Sequence, residues 1–136
     1  MAAIVAIGPD MALLEGLAQT LVAAGHKTTI ASDIPAASRL LLGSTVLVAV
    51  IDRREILESG SLRDLPLAHG GALVVFHSDD DGRAALPQRI QRLTMAHLQL
   101  PLERQRLLAL VKHIEGRARI SGRVDDDESF PAAPPP

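Results

Sequence analysis

Short apolar runs alternate along this chain with stretches whose apolar residues recur at helical spacing. Residues 3–7 are continuously aliphatic and stop at Gly8-Pro9, which predicts a buried strand. Residues 11–24 follow with Leu13, Leu14, Leu17 and Leu21 on one helical face, and Gly25 is a natural stop for that helix. Residues 27–31, with β-branched Thr28, Thr29 and Ile30, predict a second strand. Asp33 then reads as an N-cap, with Pro35 in the first turn of a helix that ends near Gly43. Residues 45–51 form the most apolar run, as a central strand covered on both faces requires, and Asp52 closes it. A short, polar, weakly periodic helix is expected within 56–65, a fourth strand over 71–76, and a loop at Asp79, Asp80, Asp81 and Gly82. A helix over 85–95 carries Pro87 in its first turn. A short fifth strand, 97–100, is closed by Pro101, and a last helix over 102–115 buries Leu107, Leu110, Val111 and Ile114.

Five rounds of strand then helix predict an α/β domain. Its five-stranded parallel sheet would be doubly wound, a flavodoxin-like (βα)5 sandwich. That domain spans residues 1–117. From residue 118 the periodicity stops, and the acidic run Asp125 to Glu128 with the Pro/Ala-rich end reads as a disordered tail over 118–136.

Composition narrows the chemistry. The 136 residues are enough for one self-supporting core, and 47% are hydrophobic. Two Phe and no Trp or Tyr leave almost no stacking surface for single-stranded nucleic acid. A net charge of -2 offers no basic field for nucleic acid or an anionic membrane. The absence of Cys excludes disulfides, thiolate catalysis and Cys-based zinc sites. No signal peptide and no membrane-length apolar run is present, so a cytoplasmic protein is expected. No Ser nucleophile elbow, Walker loop or His-Glu metal motif occurs, so an enzyme is not expected.

In open parallel sheets, sites form at the carboxyl ends of the strands. Here these ends carry Gly8, Pro9 and Asp10; Asp33; Asp52; His77 and Ser78; and Leu100 and Pro101. With its five units, an Asp closing the apolar third strand, Gly60 eight positions later and a Pro after the fifth strand, the chain resembles the CheY-like receiver domain of two-component response regulators over residues 3–116. The resemblance places Asp52 at the phosphoacceptor position and implies a role in phosphorelay signal transduction. It also implies an acidic pair holding Mg²⁺, where this chain has Gly8-Pro9 with Asp10 beside them. A Thr or Ser of the family aligns with His77, or with Ser78 one residue on. The family's Lys aligns with Leu100 before Pro101, its aromatic switch residue with His97, and the pair after the phosphoacceptor with Glu55-Ile56.

The electrostatic constellation is thus mostly replaced while the fold marks remain, a pattern that reads as a pseudo-receiver. Asp10 and Asp52 are the candidate Mg²⁺ ligands, too few for more than weak binding, and no other cofactor is expected. Each residue also has a plain structural role open to it. Asp52 can cap the next turn, and Asp10 reads as an N-cap of the first helix before it reads as a ligand. His77 and Ser78 suit a loop and Asp79 to Asp81 a solvated loop; for the bond before Pro101 the resemblance implies cis, while trans is the commoner form of an X-Pro bond. The reading reached is a regulatory protein-interaction module of bacterial two-component signalling. Its partner would be a histidine kinase or another signalling protein, or a second copy through the face of helix four, strand five and helix five. Arg89, Arg92, Glu103, Arg104, Arg106 and Lys112 are candidate contacts there. No output domain is expected after residue 117, so the chain reads as a stand-alone regulator or a piece of a longer one. The alternatives are a working receiver that phosphorylates Asp52 and a dinucleotide-binding module. The latter needs glycines where the chain has Gly8, Asp10 and Leu13.

Overall fold

In a computed structural model, the chain is described over residues 2–59, 62, 64–77 and 86–129, with residues 59 and 118–129 described by backbone alone. Strands β1 (Ala3–Ile7), β2 (Lys27–Ala31), β3 (Val46–Asp52), β4 (Leu67–His77) and β5 (Thr94–Gln99) alternate with helices α1 (Met11–Ala23), α2 (Ile34–Leu40), α3 (Arg53–Ser59), α4 (Gln88–Leu93) and α5 (Arg104–Ser129). All neighbouring strands pair in parallel, in the order β2-β1-β3-β4-β5. The order reverses direction between β1 and β3, which places a crevice at their carboxyl ends.

The strands are apolar on both faces because both faces are covered. Ile4, Ala6, Val48, Val50, Val74, Phe76 and Leu98 pack under α1 and α5, which contribute Leu14, Leu17, Leu21, Leu107, Val111 and Ile114. The alternate residues Val5, Ile7, Ala49, Ile51, Leu73 and Val75 pack under α2, α3 and α4, which contribute Ile34, Ala37, Ile56 and Ile90. Leu110, expected in the core, is only partly buried against it.

Capping fixes where the first two helices start. The Leu13 N–H donates to Asp10 Oδ1 at 3.1 Å, and the Ala36 N–H donates to Asp33 Oδ1 at 2.8 Å. Gly25, at φ 94, ends the first of them.

Elsewhere the boundaries differ from the sequence pattern. Helix α3 begins at Arg53, three residues before the expected start, because Asp52 caps it: the Arg54 N–H donates to Asp52 Oδ1 at 2.8 Å. Strand β4 begins at Leu67 instead of residue 71. Its first residues pair Leu67 with Val46, then the register shifts, and Ala72 pairs with Val48. Gly70 (φ 82) and Gly71 make that bulge, and His69-Gly70-Gly71 breaks the alternation by which a strand is recognised. Helix α4 is shorter at both ends, and β5 takes over at Thr94 instead of His97. Thr94 pairs with Leu73, and its hydroxyl donates to Ile90 O at 2.7 Å, which closes the helix. The bond between Leu100 and Pro101 is cis, the form the resemblance implies and not the commoner one.

Helix α5 starts at Arg104 and its backbone stays helical to Ser129, beyond the expected end at residue 115 and through residues 118–129, where disorder was expected. A helix already formed propagates one hydrogen bond per residue and needs no apolar face to continue. Gly60, Ser78 and the Asp79 to Gly82 loop lie outside the described residues.

Two glycines respond oppositely to alanine. A Cβ on Gly71 would lie 2.8 Å from Ala68 O and 2.9 Å from Leu47 O, whereas one on Gly16, in α1, meets nothing within 4 Å. Gly71→Ala is expected to destabilise by about 1–3 kcal/mol, and Gly16→Ala to stabilise by about 0.5–1 kcal/mol, both read from urea unfolding midpoints.

Candidate functional site

The crevice at the end of β1 and β3 is filled by the chain itself. Gly8 is buried and donates its N–H to Ala31 O at 3.1 Å, and a Cβ on it would lie 2.9 Å from Asp52 Cβ. The two backbones are too close for a side chain at position 8 without a shift of Asp52. Pro9 is exposed, and the Asp10 carboxylate is used as the cap of α1.

Asp52 is 1% exposed, so its charge needs a partner. Arg54 supplies it. Arg54 Nη2 donates to Asp52 Oδ2 at 2.9 Å, and Arg54 Nε donates to Oδ1 at 3.3 Å, the same oxygen that accepts the Arg54 N–H. Both carboxylate oxygens are therefore engaged by one residue. The Arg54 side chain is half-exposed, so it covers Asp52 from the solvent side. This contact joins residues two apart, possible because strand gives way to helix between them.

The other sequence-read positions divide into two groups. Leu100 is fully buried and belongs to the core under α1 and α5 instead of facing a pocket; its N–H donates to His77 O at 3.0 Å. Pro101 is exposed. His77 and His97 meet: their rings lie 5.1 Å apart, edge to face at 75°. His77 is half-buried, and its Nδ1 is buried without a hydrogen-bond partner. His97 has an exposed surface, but its packed edge loses hydration. That loss, with the charges of His77 and Arg53 nearby, lowers its pKa.

Mg²⁺ is a hard ion that needs several oxygen ligands. Asp10 is a cap, Asp52 is held by Arg54, position 8 has no side chain, and among the described residues no group of three His, Asp or Glu side chains could hold a metal ion. Among the described residues the side chains do not fit a Mg²⁺ ion.

Two further polar residues, Arg53 and Arg54, were not singled out by pattern, nor was the hydrogen-bonding role of Glu55. Arg53 and Glu55 are each 6% exposed. Glu55 Oε2 accepts the Ile34 N–H at 2.9 Å and so ties α3 to the start of α2. The only trace of these roles in the sequence is the run Asp52-Arg53-Arg54-Glu55 directly after the most apolar strand. Glu103, read as a docking contact, is committed locally: it accepts the Gln99 N–H at 2.7 Å and pairs with Arg106 at 2.9 Å. Arg89, Arg92, Arg104, Arg106 and Lys112 are exposed.

Two outcomes are expected. Gly8→Asp places a second carboxylate and a Cβ against Asp52, and should destabilise by about 1–3 kcal/mol in urea unfolding instead of building a metal site. Burial, outweighing the Ile34 hydrogen bond, raises the Glu55 pKa above its ordinary 4.5. The folded state then holds this proton more tightly than the unfolded state, so the Glu55 contribution to stability falls as pH rises from the unfolded pKa through the folded one. The stability of Glu55→Gln relative to the parent should therefore be higher at pH 7 than at pH 4, measured by urea unfolding at each pH.

No family model matches the sequence, and no curated protein does. Solved structures do match. NtrX from Brucella abortus, solved in complex with ADP, superposes with a TM-score of 0.69 at 16% identity, over 92% of this chain and 28% of that one. The chain thus spans well under a third of the length of NtrX. A CheY-like receiver domain protein from Methanospirillum hungatei gives a TM-score of 0.63 at 17% identity, over 88% of this chain and 98% of that one. A receiver domain protein from Clostridium thermocellum gives 0.66 at 16%, over 88% and 98%. Sheet order, helix placement and these superpositions agree: the chain has the fold of the CheY-like response regulator receiver domain.

Proposed function

We propose that this chain is an atypical receiver-like domain, a regulatory protein-interaction module of bacterial two-component signalling that works without Mg²⁺-dependent phosphorylation. The observation that carries this reading is the closed acceptor position: a buried Asp52 with both oxygens engaged by Arg54, against a side-chain-less Gly8. Phosphoryl transfer depends on positioning and on neutralising charge around the acceptor. Here the neutralising charge is spent on the acceptor carboxylate itself, and Leu100 offers no charge from the fifth strand.

Residues 1–117 are the signalling unit in this reading, with 118–136 an appended tail. The partner is a signalling protein such as a histidine kinase, or a second copy, rather than nucleic acid or a membrane, and the setting is cytoplasmic. Among the described residues no helix is long and apolar enough to cross a membrane. The face formed by α4, β5 and α5 suits docking. Strand β5 is an edge of the sheet, and Leu93 and Met95 are exposed beside Arg89 and Arg92.

A second reading, a working phosphoacceptor at Asp52, is favoured by its place at the switch point of the sheet. Intact mass after incubation with Mg²⁺ and acetyl phosphate separates the two. The module reading expects no phosphoryl adduct on the parent chain and none on Asp52→Ala; an adduct on the parent alone overturns it.

A further inference from the structure

Helix α5 carries a mixed polar and apolar face on the side away from the acceptor position. Gln105, Leu108, Ala109 and Lys112 recur three or four positions apart, so they share one side of the helix. With Ala24 and His26, at the turn between α1 and β2, that side lines a groove of about 440 Å³. The size falls within the roughly 300–1,000 Å³ of small-molecule sites. His26 directly precedes the first residue of β2, so the groove lies at the amino ends of the strands, whereas Asp52 closes the carboxyl end of β3.

His26 is the fixed point of this groove. Gly25, at φ 94, turns the chain inward, and the His26 N–H donates to Leu21 O at 3.0 Å. The His26 Nδ1 accepts the Ala2 N–H at 3.2 Å, and the residue is 8% exposed. A neutral ring whose Nδ1 accepts carries its proton on Nε2. Nε2 makes no hydrogen bond to a described residue, and it is not sealed from solvent. It is a donor held in place by a buried ring on the groove wall.

The rest of the wall supplies a charge and an apolar surface. The Lys112 ammonium forms no ion pair with a described residue, and its aliphatic stem lies along the helix. Leu108 is half-buried against the core, and Ala109 is too small to fill the groove. Glu115 is the acid of this wall; it is half-buried with Oε2 shielded from solvent, whereas Gln105 and Lys112 are exposed. A carboxylate is acceptor-only and takes charge-assisted hydrogen bonds from an imidazole N–H and an ammonium. An aliphatic tail on it would cover Leu108 and Ala109.

We propose that the groove between the α1–β2 turn and α5 binds a small aliphatic carboxylate. The site rests on no part of the interaction-module reading, and either can fail alone.

The test uses the full chain labelled with ¹⁵N, titrated with hexanoate and followed by the His26 imidazole signals and the Ala109 and Lys112 amide signals. These should shift saturably with one common Kd. Acetate, which lacks the tail, and hexanol, which lacks the charge, should each bind about tenfold more weakly or not at all. Ala109→Phe fills the groove and should abolish the saturable shift. Lys112→Met keeps the stem and should weaken binding about threefold or more. Both positions are exposed on the helix, so the core is untouched by either change. Shifts that rise linearly without saturation, acetate or hexanol binding as tightly as hexanoate, or a Kd unchanged in either variant would overturn the site.

Discussion

Strand β3 is buried on both faces and ends in a buried carboxylate, and Arg54 is its ion-pair partner. From this one contact several features follow. The Asp52 carboxylate caps α3, which fixes the start of that helix. Its Cβ crowds Gly8, so the neighbouring strand end carries no side chain. Its two oxygens are spoken for, so the crevice that the sheet order creates is closed by protein groups.

Much of the fold was legible because both faces of the central sheet are covered. Strands β1 and β2 and the starts of α1 and α2 follow directly from aliphatic runs and Asp caps. Legibility fails where a local signal is overridden. His69-Gly70-Gly71 has no alternation, yet Gly71 fits so tightly between two carbonyls that the strand continues across it. Thr94 and Met95 prolong a helical pattern, yet the edge of β4 takes them as strand. The polar start of α3 gave no periodic signal at all.

The site was legible as a set of positions and not as chemistry. Asp10 and Asp52 both act as caps, as their residue types allow, and His77 and His97 come together from separate strands. Leu100 was placed at the right strand end, but its side chain belongs to the core. The charge that pairs with Asp52 comes from Arg54, a contact over two residues that neither helix nor strand spacing brings to mind.

Asp52 and Arg54 form a coupled pair, and a double-mutant cycle measures the coupling. Urea unfolding of the parent, Asp52→Asn, Arg54→Met and the double variant gives the coupling free energy. A favourable coupling of about 1 kcal/mol or more is expected, less than for a fully buried pair because Arg54 is half-exposed. Additive effects, with a coupling near zero, would mean the carboxylate is not held by Arg54 and would contradict the closed site.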